Sequence, residues 1–320
     1  MEPVLKIARR IIEKYRLTYP FSISDFAEHI VNIEYGNLPS DVDGIVLQEE
    51  IPKPTVILNT ASSASRKIFT LAHEIGHYFI PWHPLNFVCQ ADEGWISQSS
   101  RYWLTEGEAN KFAAELLMPQ NWIKSLAAEN ASIPLLIQNV CKMGVSSTAA
   151  CFSICRALGP GHVFVETDTD NKVLYSSKSK NTIASPPTKG SIFHEKLFAY
   201  SGCSITSTKN GFNKLYWLDF TDSEHRGNIG IDIKTEIDSR ILLKDFLDIY
   251  TISQEVRTSL SRRINGVIGA ANTKCQNRNF ECFYNVLCQR FASNHDLSML
   301  LTDDLFRRFL EKKAYELTDR

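Results

Sequence analysis

The chain has 320 residues, 43 % of them hydrophobic and 22 % charged, and a formal net charge of −1. That length predicts two domains at roughly 100–200 residues each, and the near-zero charge excludes a general electrostatic drive toward nucleic acid or membrane. No apolar run approaches the ~20 residues of a bilayer span, and Met1-Glu2-Pro3-Val4-Leu5-Lys6 opens without a signal core, so a cytoplasmic protein is expected.

Val4, Ile7, Ala8, Ile11 and Ile12 recur at helical spacing over residues 4–16. Ser24 before Asp25 to Ile30 predicts a short capped helix. Strands are expected at Gly44 to Leu47 and Thr55 to Leu58, with a turn from Glu49 to Pro54 between them. A helix from Ala64 to Phe79 stops before Pro81, residues 82–101 read as irregular, and a second helix runs from Thr105 to Leu117. Ile133 to Lys142 and Thr148 to Leu158 form a helix-turn-helix-like tail. Gly159-Pro160-Gly161 marks the domain boundary. Beyond it, strands are expected near 162–166, 172–175, 213–220 and 229–234, and helices near 253–272, 279–292 and 302–317. The eight cysteines are too sparse for a disulfide scaffold and contain no CxxC pair. The whole reads as an α+β protein.

Within the first long helix, His73-Glu74-Ile75-Gly76-His77 is an H-E-x-x-H motif. Spacing of four puts both imidazoles on one helical face, where they can share a Zn2+ ion at ~2.0–2.1 Å. Glu74 is placed to act as general base on a water activated by that ion. A third protein ligand is needed, and the next helix offers Glu106, Glu108 and Glu115. Glu106 lies one turn from Asn110, whose amide could orient a ligating histidine. Glu108 points about 160° away from Glu106 on the helical wheel, and Glu115 reads as a solvated-face residue.

The core F-T-L-A-H-E-I-G-H-Y, followed by E-x-E-A-N-x-F-A-A-E-L-L-M-P, resembles the ImmA/IrrE family of bacterial metallopeptidases. The resemblance extends over roughly residues 1–158 and includes the strand pair at Gly44 to Leu47 and Val56 to Asn59. It implies a minimal zincin-like domain, supports Glu106 as third ligand, and implies cleavage of a helix-turn-helix repressor of the XRE family. Such cleavage would answer a stress, DNA-damage or phage-related signal. Residues 1–158, with helical tail 120–158, are thus expected to be the peptidase. Residues 161–320 are expected to form a mixed α/β sensor or regulatory domain.

Other residues carry weaker readings. Cys89, between the two helices, could be an inhibitory fourth metal ligand, against the plainer reading of a buried thiol. His83, set between Pro81 and Pro84, could stabilise an oxyanion or be an ordinary loop residue. Thr55 to Asn59 could be an edge strand that receives substrate or, equally, a plain structural strand. The second helix of the tail offers only Arg156 as a cation, which argues for a structural role over DNA reading. Arg257, Arg262, Arg263, Lys274 and Arg278 read by default as a solvated helix face, and in the sharper reading could bind single-stranded DNA or another anionic activator. The rival to an enzyme is a metal-dependent sensor or antitoxin-like module that controls its partner without hydrolysis.

Overall fold

The computed structural model describes residues 2–47, 53–83, 87–90, 100–129, 132–182, 184–221, 237–251, 253–275 and 279–318, without the side chains at 87–90, 100–102 and 199. Most of the turn expected at Glu49 to Pro54, the strand expected at 229–234, and Arg278 lie outside the described residues. The chain divides into two compact units, Met1–Ala157 and Leu158–Arg320. Among the described residues no helix is long and apolar enough to cross a membrane.

The first unit opens with α1 (Pro3–Lys14), which starts on a proline whose missing N–H costs nothing in a first turn. Its Val4, Ala8 and Ile11 are buried. α2 (Ile23–Glu28) is capped by Ser22, whose hydroxyl accepts the Asp25 N–H. The cap is therefore two residues earlier than Ser24, which sits inside the first turn. Strands β1 (Asn32–Gly36), β2 (Val42–Leu47) and β3 (Thr55–Asn59) follow. Next come α3 (Ala64–Phe79), β4 (Phe87–Gln90) and α4 (Ser100–Leu117). Then α5 (Gln120–Glu129), α6 (Ile133–Cys141) and α7 (Ser147–Ala157) close the unit.

The sheet order is β1-β3-β2-β4. β1 runs parallel to β3, while β2 is antiparallel to both β3 and β4. This corrects the edge-strand expectation for Thr55 to Asn59, because β1 and β2 occupy its two sides and leave it no free backbone row. β2 alternates buried and half-buried positions, as a strand with one face on the core should.

α3 packs on β2, β3 and α4, and α4 packs on α1. Two glycines permit the close approach around α3. A Cβ at Gly44 would lie 2.5 Å from Thr70 Cγ2, and one at Gly76 would lie 3.0 Å from the Phe112 ring. α3 is capped by Ser63, which accepts the Arg66 N–H, and it ends where Ile80 turns extended ahead of Pro81. In α7 the buried positions include Ala150, Cys151, Ile154 and Cys155, and the exposed ones are Phe152 and Arg156. It is a core helix with too few polar side chains outward to read bases.

The second unit pairs a sheet with a helical cluster. β5 (His162–Thr167), β6 (Val173–Lys178), α8 (Glu195–Phe198), β7 (Ser204–Asn210) and β8 (Asn213–Asp219) lead into α9 (Ser239–Tyr250). Three more helices follow: α10 (Gln254–Lys274), α11 (Phe280–Ala292) and α12 (Asp304–Thr318). The strands are antiparallel in the order β6-β5-β8-β7. Val163, Val165, Tyr216 and Leu218 of the sheet bury Phe193 and Phe198. Phe246, Phe283, Phe291, Phe306 and Phe309 fill the core of the helical cluster.

The basic residues read as a patch for an anionic activator are partly neutralised in place. Arg257 pairs with Asp248, and Arg263 pairs with Asp296 at 2.5 Å.

Candidate metal centre

α3 and α4 each present one turn of side chains to a common point. His73 and His77, four apart, place their Nε2 atoms 3.1 Å from each other. Glu106 of α4 brings Oε2 to 3.2 Å from His73 Nε2 and Oε1 to 3.3 Å from His77 Nε2. Both histidines are buried and Glu106 is nearly so. Bonds of ~2.0–2.1 Å at tetrahedral angles set donor separations of ~3.3 Å, close to all three distances here. His73, His77 and Glu106 could therefore hold a metal ion.

The proton on His73 is fixed from behind. Its Nδ1 lies 3.0 Å from Asn110 Oδ1, an acceptor, so Nδ1 carries a hydrogen, and in the neutral ring Nε2 keeps its lone pair facing His77 and Glu106. Asn110 and Glu106 stand one turn apart on α4, so a single helix supplies a donor and the group that orients another.

Without a metal the same groups form an ion pair. Burial disfavours charge on Glu106, but hydrogen bonds and charge from His73 and His77 outweigh it and hold the carboxyl at about 2. Burial likewise opposes protonation of His73, yet the Glu106 hydrogen bond and the charges of Glu74 and Glu106 raise it above its ordinary value. Glu74 is fully buried on α3, and its Oε1 stands 3.4 Å from where a Cβ on Gly44 would be. The bare glycine thus leaves room for the carboxylate under β2.

The remaining candidates take different places. Glu108 turns away from the three donors: its Oε2 accepts the Trp82 indole N–H at 2.6 Å and lies 3.0 Å from His83 Nε2. His83 is buried with Nδ1 3.0 Å from His77 Nδ1. It lies in the turn that follows α3 and is held there by these two contacts. Residue order hid this arrangement, although a histidine six positions after His77, just past the helix end, was the available signal. Glu115 corrects another expectation. It is buried, not solvated, and Arg9 Nε donates to its Oε1 at 2.7 Å, because α1 covers that face of α4. Cys89 pairs with Gly44 in the β2–β4 ladder, and its side chain, on which the fourth-ligand reading depends, lies outside the described residues.

Two adjacent helices carrying a histidine pair, a buried glutamate and a third acidic donor define a metallopeptidase-type domain. Residues 29–153 match the family model of the IrrE N-terminal-like domain, Peptidase_M78. The chain carries an IrrE N-terminal-like domain, and the ImmA/IrrE resemblance read from its motifs holds over that stretch. No curated protein matches the sequence. Among solved structures, a Mycobacterium tuberculosis transcriptional regulator is similar at 13 % identity and a TM-score of 0.44, covering 70 % of this chain and 78 % of that one.

Proposed function

We propose that this chain is a zinc metalloendopeptidase of the cytoplasm that cleaves an XRE-type helix-turn-helix repressor when its second unit receives a signal. The observation that carries the reading is the convergence of His73 Nε2, His77 Nε2 and Glu106 within 3.1–3.3 Å of one another beside a buried Glu74.

A zinc ion held by these donors would polarise a carbonyl and acidify a water. His73 and His77 present neutral imidazole lone pairs, and Glu106 supplies the balancing negative charge. Glu74 takes the proton from the attacking water and returns it to the leaving amine. Burial keeps that proton exchange away from bulk solvent. A module that only binds has no use for a buried carboxylate at position 74, which weighs against the sensor reading.

The test is incubation of the purified chain with the XRE-type regulator encoded beside it, with and without single-stranded DNA, followed by fragment sequencing. Wild type should cut at one bond. Glu74→Gln should keep its zinc and lose roughly 10²–10⁴-fold in rate. Full cleavage by Glu74→Gln would sink the general-base assignment, and an intact regulator under every condition would sink the substrate.

A further inference from the structure

Behind His77 stands a row of side chains that the proposed chemistry leaves unused. His83 has a fully enclosed side chain (0 % exposed), with one ring nitrogen toward His77 and the other toward Glu108. Glu108 reaches the surface (30 % exposed), and its Oε2 also accepts the indole N–H of Trp82. With a metal ion on His77 Nε2, which then carries no hydrogen, the remaining donors and acceptors permit one proton arrangement. The Glu108 carboxylate accepts only, so His83 carries a hydrogen on Nε2 and donates it. A neutral His83 then has a bare Nδ1, which must accept. His77 must therefore carry its hydrogen on Nδ1 and donate across the 3.0 Å gap. That leaves His77 Nε2 without a hydrogen, facing His73 Nε2 and Glu106. If His83 held hydrogens on both nitrogens, His77 Nδ1 would have to be bare. Its remaining hydrogen would then sit on Nε2, where a metal belongs.

We propose that His83 and Glu108 are positioning residues that lock His77 in its Nδ1–H tautomer and so set the affinity of the site for a divalent transition metal ion. This rests on the metal-centre reading of His73, His77 and Glu106. It gives the two histidines separate supports: an amide oxygen from α4 behind His73, and a histidine-carboxylate pair behind His77. An acceptor on the outer nitrogen fixes ring orientation and raises the basicity of the inner one. Trp82 adds a second donor to Glu108 and so holds its carboxylate in place.

The experiment is zinc binding to the metal-free full chain, measured by competition with a chromophoric chelator. It compares wild type with His83→Phe, Glu108→Leu and Glu108→Gln. His83→Phe should weaken zinc by about 10- to 100-fold, the usual effect of removing such a partner. Glu108→Leu should weaken it too, while Glu108→Gln, which still accepts from His83, should stay near wild type. In the zinc-loaded protein, the hydrogen-bonded His77 Nδ1–H resonance should be present in wild type and Glu108→Gln and absent in His83→Phe. Wild-type affinity in folded His83→Phe and Glu108→Leu would overturn the proposal. Should His83→Phe fail to fold, the Glu108 pair decides alone, since that side chain is partly exposed. Failure of the underlying reading has a different signature: His77→Ala would then bind zinc as tightly as wild type.

Discussion

The side-chain oxygen of Asn110 lies 3.0 Å from Nδ1 of His73, on the ring edge opposite the one that meets Glu106. One turn of α4 thus holds both ends of the same imidazole. Asn110→Leu removes the acceptor while nearly conserving volume. It should lower zinc affinity about tenfold or more in a chelator competition, whereas Asn110→Asp, which still accepts, should bind close to wild type. Equal affinities for all three proteins would show that His73 needs no partner.

Much of this centre was legible in the sequence because it is local. His73, Glu74 and His77 share one helix, and Glu106 and Asn110 share another, so helical spacing alone assigns their faces. Contacts made across elements were not legible. His83 follows α3 after the chain has turned extended at Ile80, and no periodicity says where a loop side chain points. Glu115 looked solvated because its helix appeared to have one apolar face, whereas α1 covers a second. β1 was missed because Asn32 to Gly36 lacks alternation and is mostly exposed, its strand state being imposed by parallel pairing with β3. In the second unit α9 escaped notice, although Asp238 caps it and Leu243, Phe246 and Leu247 face inward.

The metal-free centre should have a characteristic pH profile. Glu106 is held down at about 2 from 4.5, so its contribution to stability is present above 4.5 and lost as pH falls toward about 2. His73 is raised above 6.5, so its contribution is present below 6.5 and lost as pH climbs through the raised value. The thermal midpoint of metal-free protein should therefore be highest between these limits and decline on both sides. Zinc competes with the His73 proton, so calorimetry near pH 6.5 in buffers of different ionisation enthalpy should show proton release that dwindles at higher pH. A release that does not change with pH would mean that His73 is not a ligand.

Arg9 and Glu115 tie α1 to the helix that carries Glu106, with Glu115 buried and Arg9 about one-third exposed. Tyr19 adds a hydrogen bond from its hydroxyl to the Leu116 carbonyl at 2.7 Å. Arg9→Met strands a buried carboxylate and should cost about 3 kcal/mol, read as a lower denaturant midpoint. The double variant Arg9→Met with Glu115→Leu should recover most of that loss, because it removes the uncompensated charge. If the double variant is no more stable than Arg9→Met alone, the cost comes from lost packing of the arginine stem.

Gly44 sets the distance between β2 and α3. A methyl group there would meet Thr70 Cγ2 at 2.5 Å and lie 3.4 Å from Glu74 Oε1, so the Thr70 side chain or the backbone on either side must shift. Gly44→Ala should cost about 1–3 kcal/mol as an overpacking substitution and should slow cleavage, since the displaced group neighbours the proposed base. The collision is with one methyl, and Thr70→Ser removes it while keeping the hydroxyl. A double-mutant cycle should therefore show a favourable coupling of at least ~0.5 kcal/mol between Gly44→Ala and Thr70→Ser, with activity regained in step with stability. Additive effects would place the strain elsewhere, on the Ile57 carbonyl that lies 3.3 Å from the same position.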